Sequence, residues 1–152
     1  SGAICSMVMP SIPEANVLDL FAGSGVLGLE LLSRGAGHCR FNDCSRKHVA
    51  IVQENIDHCK ANDKATVSTM DFRKCLDSLQ KKMDLIILDP PYRAGYYEEA
   101  IEKIMENDLL AEGGLIVAEH LYEETLPEEI AGLKKMKEKK YGTIGVDIYT
   151  RA

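Results

Sequence analysis

Asn16-Val17-Leu18-Asp19-Leu20-Phe21-Ala22-Gly23-Ser24-Gly25-Val26-Leu27-Gly28-Leu29-Glu30 is the stretch that decides the fold. An apolar run from Asn16 to Ala22 stops at a glycine cluster. Val26, Leu27, Leu29, Leu31 and Leu32 then follow at helical spacing up to Gly35, a suitable C-cap. This reads as strand, tight turn, helix. The spacing Gly23-x-Gly25-x-x-Gly28 lets backbone approach a ligand closely and aims helix N–H groups at it.

The pattern recurs downstream. A strand is expected over 38–43, then a helix from about Ser45 to Ala61 with Ser45 as N-cap and Val49, Val52, Ile56 and Cys59 inward, then a strand over 65–70. Asp71 is placed to cap a short helix bearing Cys75, Leu76 and Leu79. Met83 to Leu88, apolar except for Asp84, has the character of a strand buried on both faces of a parallel sheet. A helix over 97–108 (Ile101, Ile104 and Met105 inward) precedes a strand over 114–119. A weaker helix over about 123–131 precedes two strands that meet near Tyr141-Gly142. That last pair has no room for a crossover and must be antiparallel. The expectation is one α/β domain over 1–152, Rossmann-like, with a mostly parallel seven-stranded sheet, an antiparallel C-terminal hairpin and helices on both faces.

The chain has 152 residues, a size that suits one core. With 45% hydrophobic and 28% charged residues it has the make-up of a soluble protein, and no apolar run is long enough to span a bilayer. No signal peptide is read at the N-terminus, so a cytoplasmic location is expected. The odd set Cys5, Cys39, Cys44, Cys59 and Cys75 contains no CxxC pair, so reduced thiols are expected. The net charge of −6 counts against nucleic-acid binding, but the acidity is uneven. Residues 1–92 carry 10 basic and 11 acidic side chains, and residues 93–152 carry 8 and 13.

Asp43 falls 20 residues after Gly23, at the end of the second strand, where a carboxylate accepts from ribose hydroxyls. An adenosine-containing cofactor follows, and the glycine spacing alone does not separate a nicotinamide cofactor from S-adenosylmethionine. Asp19, a carboxylate just before the glycine loop, suits a cationic ligand and would sit awkwardly beside a pyrophosphate; the plainer reading is a carboxylate bonding loop N–H groups. Asp71 is placed to reach an adenine amino group, with Phe72 or Met70 beside the ring, and it equally suits a plain N-cap.

Asp89-Pro90-Pro91-Tyr92 leaves the fourth strand as a stiff shelf, because the prolines fix their φ angles and bias the residues before them toward extended backbone. A carboxylate, a proline carbonyl and an aromatic face together suit a planar amino group. Asp89 and the Pro90 carbonyl accept its hydrogens, and Tyr92 stacks on its plane.

Taken together these residues resemble the class I S-adenosylmethionine-dependent methyltransferases. The run Leu18 to Glu30, followed by Ser33-Arg34-Gly35-Ala36, is similar to the RsmD family of 16S rRNA guanine-N2 methyltransferases. The DPPY motif and Tyr141-Gly142 agree with it. The resemblance implies that Asp19, Phe21 and the loop Gly23, Gly25, Gly28 bind the methionine side of S-adenosylmethionine, Asp43 its ribose, and Asp71 with Phe72 its adenine. Asp89, Pro90, Pro91 and Tyr92 would hold the target amine. It further implies a ribosomal RNA or small-subunit particle as partner, and no metal. Family members carry a basic segment before the stretch resembling Ala3 to Met9. This sequence opens Ser1-Gly2 without it, so weak RNA affinity is expected of the chain as given.

Other readings stand beside this one. Adenine N6 and a protein glutamine amide also present planar amino groups, a nicotinamide-dependent oxidoreductase would use the same glycine spacing, and a silent cofactor-binding module would keep the loop without needing the shelf. The run Lys134, Lys135, Lys137, Lys139, Lys140 is read as the solvated face of an edge strand. His38, His48, His58 and His120 do not combine with Cys39, Cys44 and Cys59 into a metal site, since Cys39 and Cys44 should point to opposite faces. Arg93, Tyr96 and Tyr97 follow the shelf either as a lid or as ordinary surface.

Overall fold

The computed structural model describes residues 2–152. A short helix α1 (Gly2–Met7) leads into β1 (Asn16–Asp19), α2 (Val26–Ser33), β2 (His38–Asn42), α3 (Arg46–His58), β3 (Ala65–Ser68), α4 (Phe72–Ser78), β4 (Met83–Leu88) and α5 (Tyr96–Glu106). The chain finishes with β5 (Leu110–Leu121), β6 (Glu129–Ile130), β7 (Leu133–Tyr141) and β8 (Ile144–Arg151). These strands form one sheet in the order β3-β2-β1-β4-β5-β8-β7-β6. The first five are parallel, and β8, β7 and β6 add antiparallel. No described helix is long and apolar enough to cross a membrane.

Period-two alternation splits the core between the two faces of the sheet. Val17, Phe41, Leu85, Ile87 and Val117 pack with Leu31, Val52 and Ile56 of α2 and α3, whereas Leu18, Ile86, Leu88 and Ile116 pack with Leu76, Ile101 and Ile104 of α4 and α5. Burial on both faces explains why β4 is an almost unbroken apolar run. The order reverses between β1 and β4, which opens a crevice at the carboxyl ends of the strands.

Ser45 caps α3 through His48 N, and Asp71 caps α4 through Arg73 N, both as the sequence implies. Val52 and Ile56 are buried, but Cys59 ends exposed at the C-cap. The helix expected over 123–131 does not form. Pro127 removes an N–H and disfavours helical backbone at Leu126, and the nearby carbonyls are used elsewhere. Lys135 Nζ donates to the Leu126 carbonyl at 3.0 Å, and the Tyr149 hydroxyl donates to that of Pro127 at 2.5 Å. The segment ends as β6, an eighth strand beyond the seven expected, turned into β7 by Ala131 and Gly132 at φ of 50° and 85°.

Gly28 sits where α2 crosses β2. A Cβ there would lie 2.4 Å from Phe41 Cε2 and 2.9 Å from Cys39 Sγ, both on buried side chains. The third glycine of the motif thus lets helix and strand approach closely. Gly28→Ala should therefore destabilise the fold by about 1–3 kcal/mol through overpacking. Urea denaturation measures this, and an unchanged midpoint would mean that α2 can lift off β2 without cost.

Candidate functional site

The glycine loop starts at the carboxyl end of β1 and is tied back to the sheet. Ala22 N donates to the Asn42 carbonyl at 2.8 Å, and Gly23 N donates to Asp43 Oδ2 at 2.9 Å. Gly23 and Gly25 take φ of 59° and 82°, backbone that side chains rarely adopt. Asp43 Oδ1 accepts from Ser45 N at 2.9 Å and lies 3.2 Å from His48 Nδ1. One carboxylate thus joins the loop, the end of β2 and the start of α3. With two oxygens and about four lone-pair sites, it keeps capacity for a ligand hydroxyl.

A cleft of about 800 Å³ opens above these elements. Phe21, Gly23, Asp43, Asp71, Phe72, Asp89, Pro90, Pro91 and Tyr92 line it, so most of the residues singled out from the sequence meet in one place. Asp19, Gly25 and Gly28 are not on its wall. Asp19 is only 3% exposed and takes the Gly28 N–H behind the loop. Phe21, Phe72 and Tyr96 form an aromatic wall, with ring centroids 4.9 to 6.4 Å apart. Asp71 is doubly engaged, by Arg73 N at 2.9 Å and Arg73 Nη1 at 3.2 Å. The Arg73 guanidinium also bonds Glu99 and lies 4.4 Å from the Phe72 ring centre.

Glu119, read from the sequence only as part of a strand, also lines the cleft. Parallel pairing of Leu88 with Ala118 puts the next residues, Asp89 and Glu119, side by side. The parity that places Leu85 and Ile87 on the α2–α3 face also places Asp89 there, and Leu115 and Val117 do the same for Glu119. The same alternation puts Asp19 beyond Val17 and Asp43 beyond Phe41. Carboxyl groups therefore stand in a row across the ends of β2, β1, β4 and β5. Burial, then the Asp43 charge, pushes Asp19 up to about 7 against the opposing Gly28 N–H. Burial, then the bond to and charge of Glu119, then the Asp19 charge, pushes Asp89 up to about 8. Registering the strand ends against one another would have revealed Glu119; reading each strand alone does not.

Tyr92 is 51% exposed and stands over the opening. Of the residues after the shelf, Tyr96 joins the aromatic wall and Arg93 pairs with Glu123 at 2.6 Å. Tyr97 is buried, its hydroxyl donating to the Glu119 carbonyl at 2.7 Å, so it belongs to the core rather than to a lid. Among the described residues no cluster of His, Cys, Asp and Glu is arranged to hold a metal ion.

The model of the family described as Conserved hypothetical protein 95 matches residues 2–150. The chain is 38% identical to YlbH of Bacillus subtilis (strain 168), with 98% of this chain and 83% of that protein covered. It is 33% identical to ribosomal RNA small subunit methyltransferase D of Escherichia coli (strain K12), over 93% of this chain and 71% of the relative. A solved structure of a conserved hypothetical protein from Streptococcus pyogenes superposes with a TM-score of 0.94 at 39% identity, covering 99% of this chain and 94% of the other. With its α/β sheet, its glycine loop and these matches along almost its whole length, the chain belongs to the Conserved hypothetical protein 95 family, the RsmD family of methyltransferases.

Proposed function

We propose that the chain transfers a methyl group from S-adenosylmethionine to the exocyclic N2 amine of a guanine in 16S ribosomal RNA, within the small-subunit particle. The observation that carries this reading is the DPPY shelf beside the glycine loop in a single cleft. The name of the Escherichia coli relative, ribosomal RNA small subunit methyltransferase D, supports ribosomal RNA as the substrate.

The chemistry of the cleft fits the cofactor. A row of carboxyl groups, two of them held well above the ordinary carboxylate range, calls for positive charge. S-adenosylmethionine carries an ammonium and a sulfonium, whereas the pyrophosphate of a nicotinamide cofactor would be repelled. When bound, the cofactor supplies an electrophilic methyl group. Asp43 has lone-pair capacity left to accept from a ribose hydroxyl, and Phe21, Phe72 and Tyr96 offer an apolar wall for adenine. Asp71 already accepts from Arg73, so it has less capacity left for an adenine amino group.

For the target, Asp89 and the Pro90 carbonyl accept the amino hydrogens. They draw the nitrogen lone pair out of conjugation and stabilise the positive charge that grows as nitrogen attacks. The exposed Tyr92 ring supplies a stacking face for a base taken out of its RNA stack.

Binding of the cationic cofactor favours ionised carboxylates, so protons should leave Asp19 as it binds near pH 7. Calorimetry in buffers of differing ionisation enthalpy should register this release; binding with no release, or binding of NADH instead, would contradict the assignment. Asp43→Ala should weaken cofactor binding by about 1–3 kcal/mol, because it frees both the ribose and the Gly23 N–H. An unchanged Kd would show that the ribose is held elsewhere. On undermodified small-subunit particles, Asp89→Ala should lower single-turnover transfer by something like 10²–10³-fold with cofactor affinity kept. Tyr92→Phe should keep most of the activity, while Tyr92→Ala loses the roughly 1–3 kcal/mol of a stacking face. Parental rates in Asp89→Ala would reduce the shelf to a structural turn. Methylation at adenine N6 instead of guanine N2 would overturn the choice of base.

A further inference from the structure

We infer that Glu119 is the proton acceptor of the transfer, working as one unit with Asp89, whose carboxyl it faces across adjacent strand ends. The inference rests on the amino-methyltransferase reading above and adds to it a residue and a proton path. The geometry comes first. Register and side-chain parity set the two carboxyl groups side by side on one face of the sheet, both at the cleft. The Glu119 backbone is held by the Tyr97 hydroxyl, so the carboxyl stands on a fixed strand end rather than on a mobile loop.

Two carboxylates sharing a site cannot both ionise without cost, so the pair favours keeping one proton between them. Asp89, raised to about 8 by burial and by Glu119, is the protonated member. Its carbonyl oxygen still accepts a hydrogen bond from the amino group. Glu119, on the fixed strand end beside it and at the cleft, is the acceptor. The groups facing the pair are Asp19 at the end of β1 and Tyr92 in the shelf, with Tyr97 on α5. None of them carries positive charge. Lys135 pairs with Asp147, which also lies 3.0 Å from His120 Nε2, on the side of the sheet opposite the pair.

The step balances. The amino nitrogen uses its lone pair to form the N–C bond as the methyl–sulfur bond breaks, and that electron pair stays on sulfur, which becomes a neutral thioether. The nitrogen, now positive, sheds the hydrogen bonded to Asp89 as a proton to that oxygen while the other Asp89 proton passes to a Glu119 oxygen, and the pair becomes doubly protonated and neutral. The proton then passes to solvent when product leaves and the cleft opens.

The test compares the parental chain with Glu119→Gln and Glu119→Asp. Carboxyl-carbon NMR of the chain without cofactor should show the Asp89 titration moving down by a unit or more in Glu119→Gln, since the neighbouring charge is gone. Single-turnover transfer to small-subunit particles should fall about 10²-fold, the usual contribution of a positioned base. The acid limb of the pH–rate profile should vanish in Glu119→Gln and survive, at a lower rate, in Glu119→Asp. Melting temperature should not fall, and transfer is read at saturating cofactor, which separates a lost base from a damaged fold or weakened cofactor binding. An unmoved Asp89 titration, or a Glu119→Gln variant with the parental rate and acid limb, overturns the inference and leaves the functional reading intact. A parental chain that methylates no ribosomal RNA overturns both.

Discussion

Like charges crowd one end of one sheet. Adjacent strands lie about 4.8 Å apart, so Asp89 and Glu119, level on β4 and β5, stand at about that spacing, with Asp19 one pleat below them on β1. Two full charges 5 Å apart at an effective dielectric constant of about 20 repel by roughly 3 kcal/mol. The row is tolerable only because each member is relieved in its own way. Asp43 takes N–H groups from Gly23 and Ser45; Asp19 takes the Gly28 N–H and is pushed toward protonation; Asp89 is pushed further and leans on Glu119. The glycine loop is a donor array for carboxylates of its own chain before it is anything for a ligand.

This division of labour changes what the glycine motif means here. Gly23 is the motif glycine on the cleft wall, and its N–H is committed to Asp43. Gly25 gives α2 a left-handed entry, and Gly28 lets α2 press on Phe41 and Cys39. Spacing alone marks a strand-to-helix turn that approaches something closely. What it approaches, and which charge is welcome there, is set by the carboxyl row behind it, and that row asks for a cation.

Most of the fold was legible because burial on both faces leaves little freedom in sequence. The run Met83 to Leu88 is β4 to the residue, and the caps Ser45 and Asp71 fall where their hydrogen-bonding preferences put them. The segment 123–131 was not legible, because apolar residues at Leu126 and Ile130 imitate a helical face while Pro127 forbids the helix. The lysine run was half legible. Alternation from the buried Leu133 turns Lys135 inward, to 5% side-chain exposure, while its neighbours in the run stay in solvent as an edge strand would have them. In the site, Phe21, Gly23, Asp43, Asp71, Phe72 and the shelf were each visible from a local motif. Glu119 was not, because its meaning comes from the strand beside it.

The opposite face of the same sheet shows what this protein does with a buried carboxylate that is not meant for a ligand. Asp147 on β8 is fully buried, and the chain answers it from within, with Lys135 Nζ at 3.4 Å and His120 Nε2 at 3.0 Å. Lys135 also bonds Glu138 at 2.8 Å and the Leu126 carbonyl, so one cation knits the C-terminal hairpin to the segment that replaced the expected helix. Removing one partner from such a group would strand an uncompensated charge, which is costly, so the arrangement fixes β5, β8 and β7 relative to one another. His120 and Glu119 are successive residues of β5 that point to opposite faces, and the strand held still by the first carries the second. Asp43 and Asp19 receive N–H groups of the glycine loop, and no lysine or arginine lines the cleft beside them, Asp89 or Glu119. On one face a lysine of the chain meets the buried carboxylate; at the cleft, among the described residues, only His48 Nδ1, 3.2 Å from Asp43, comes near the four carboxyl groups.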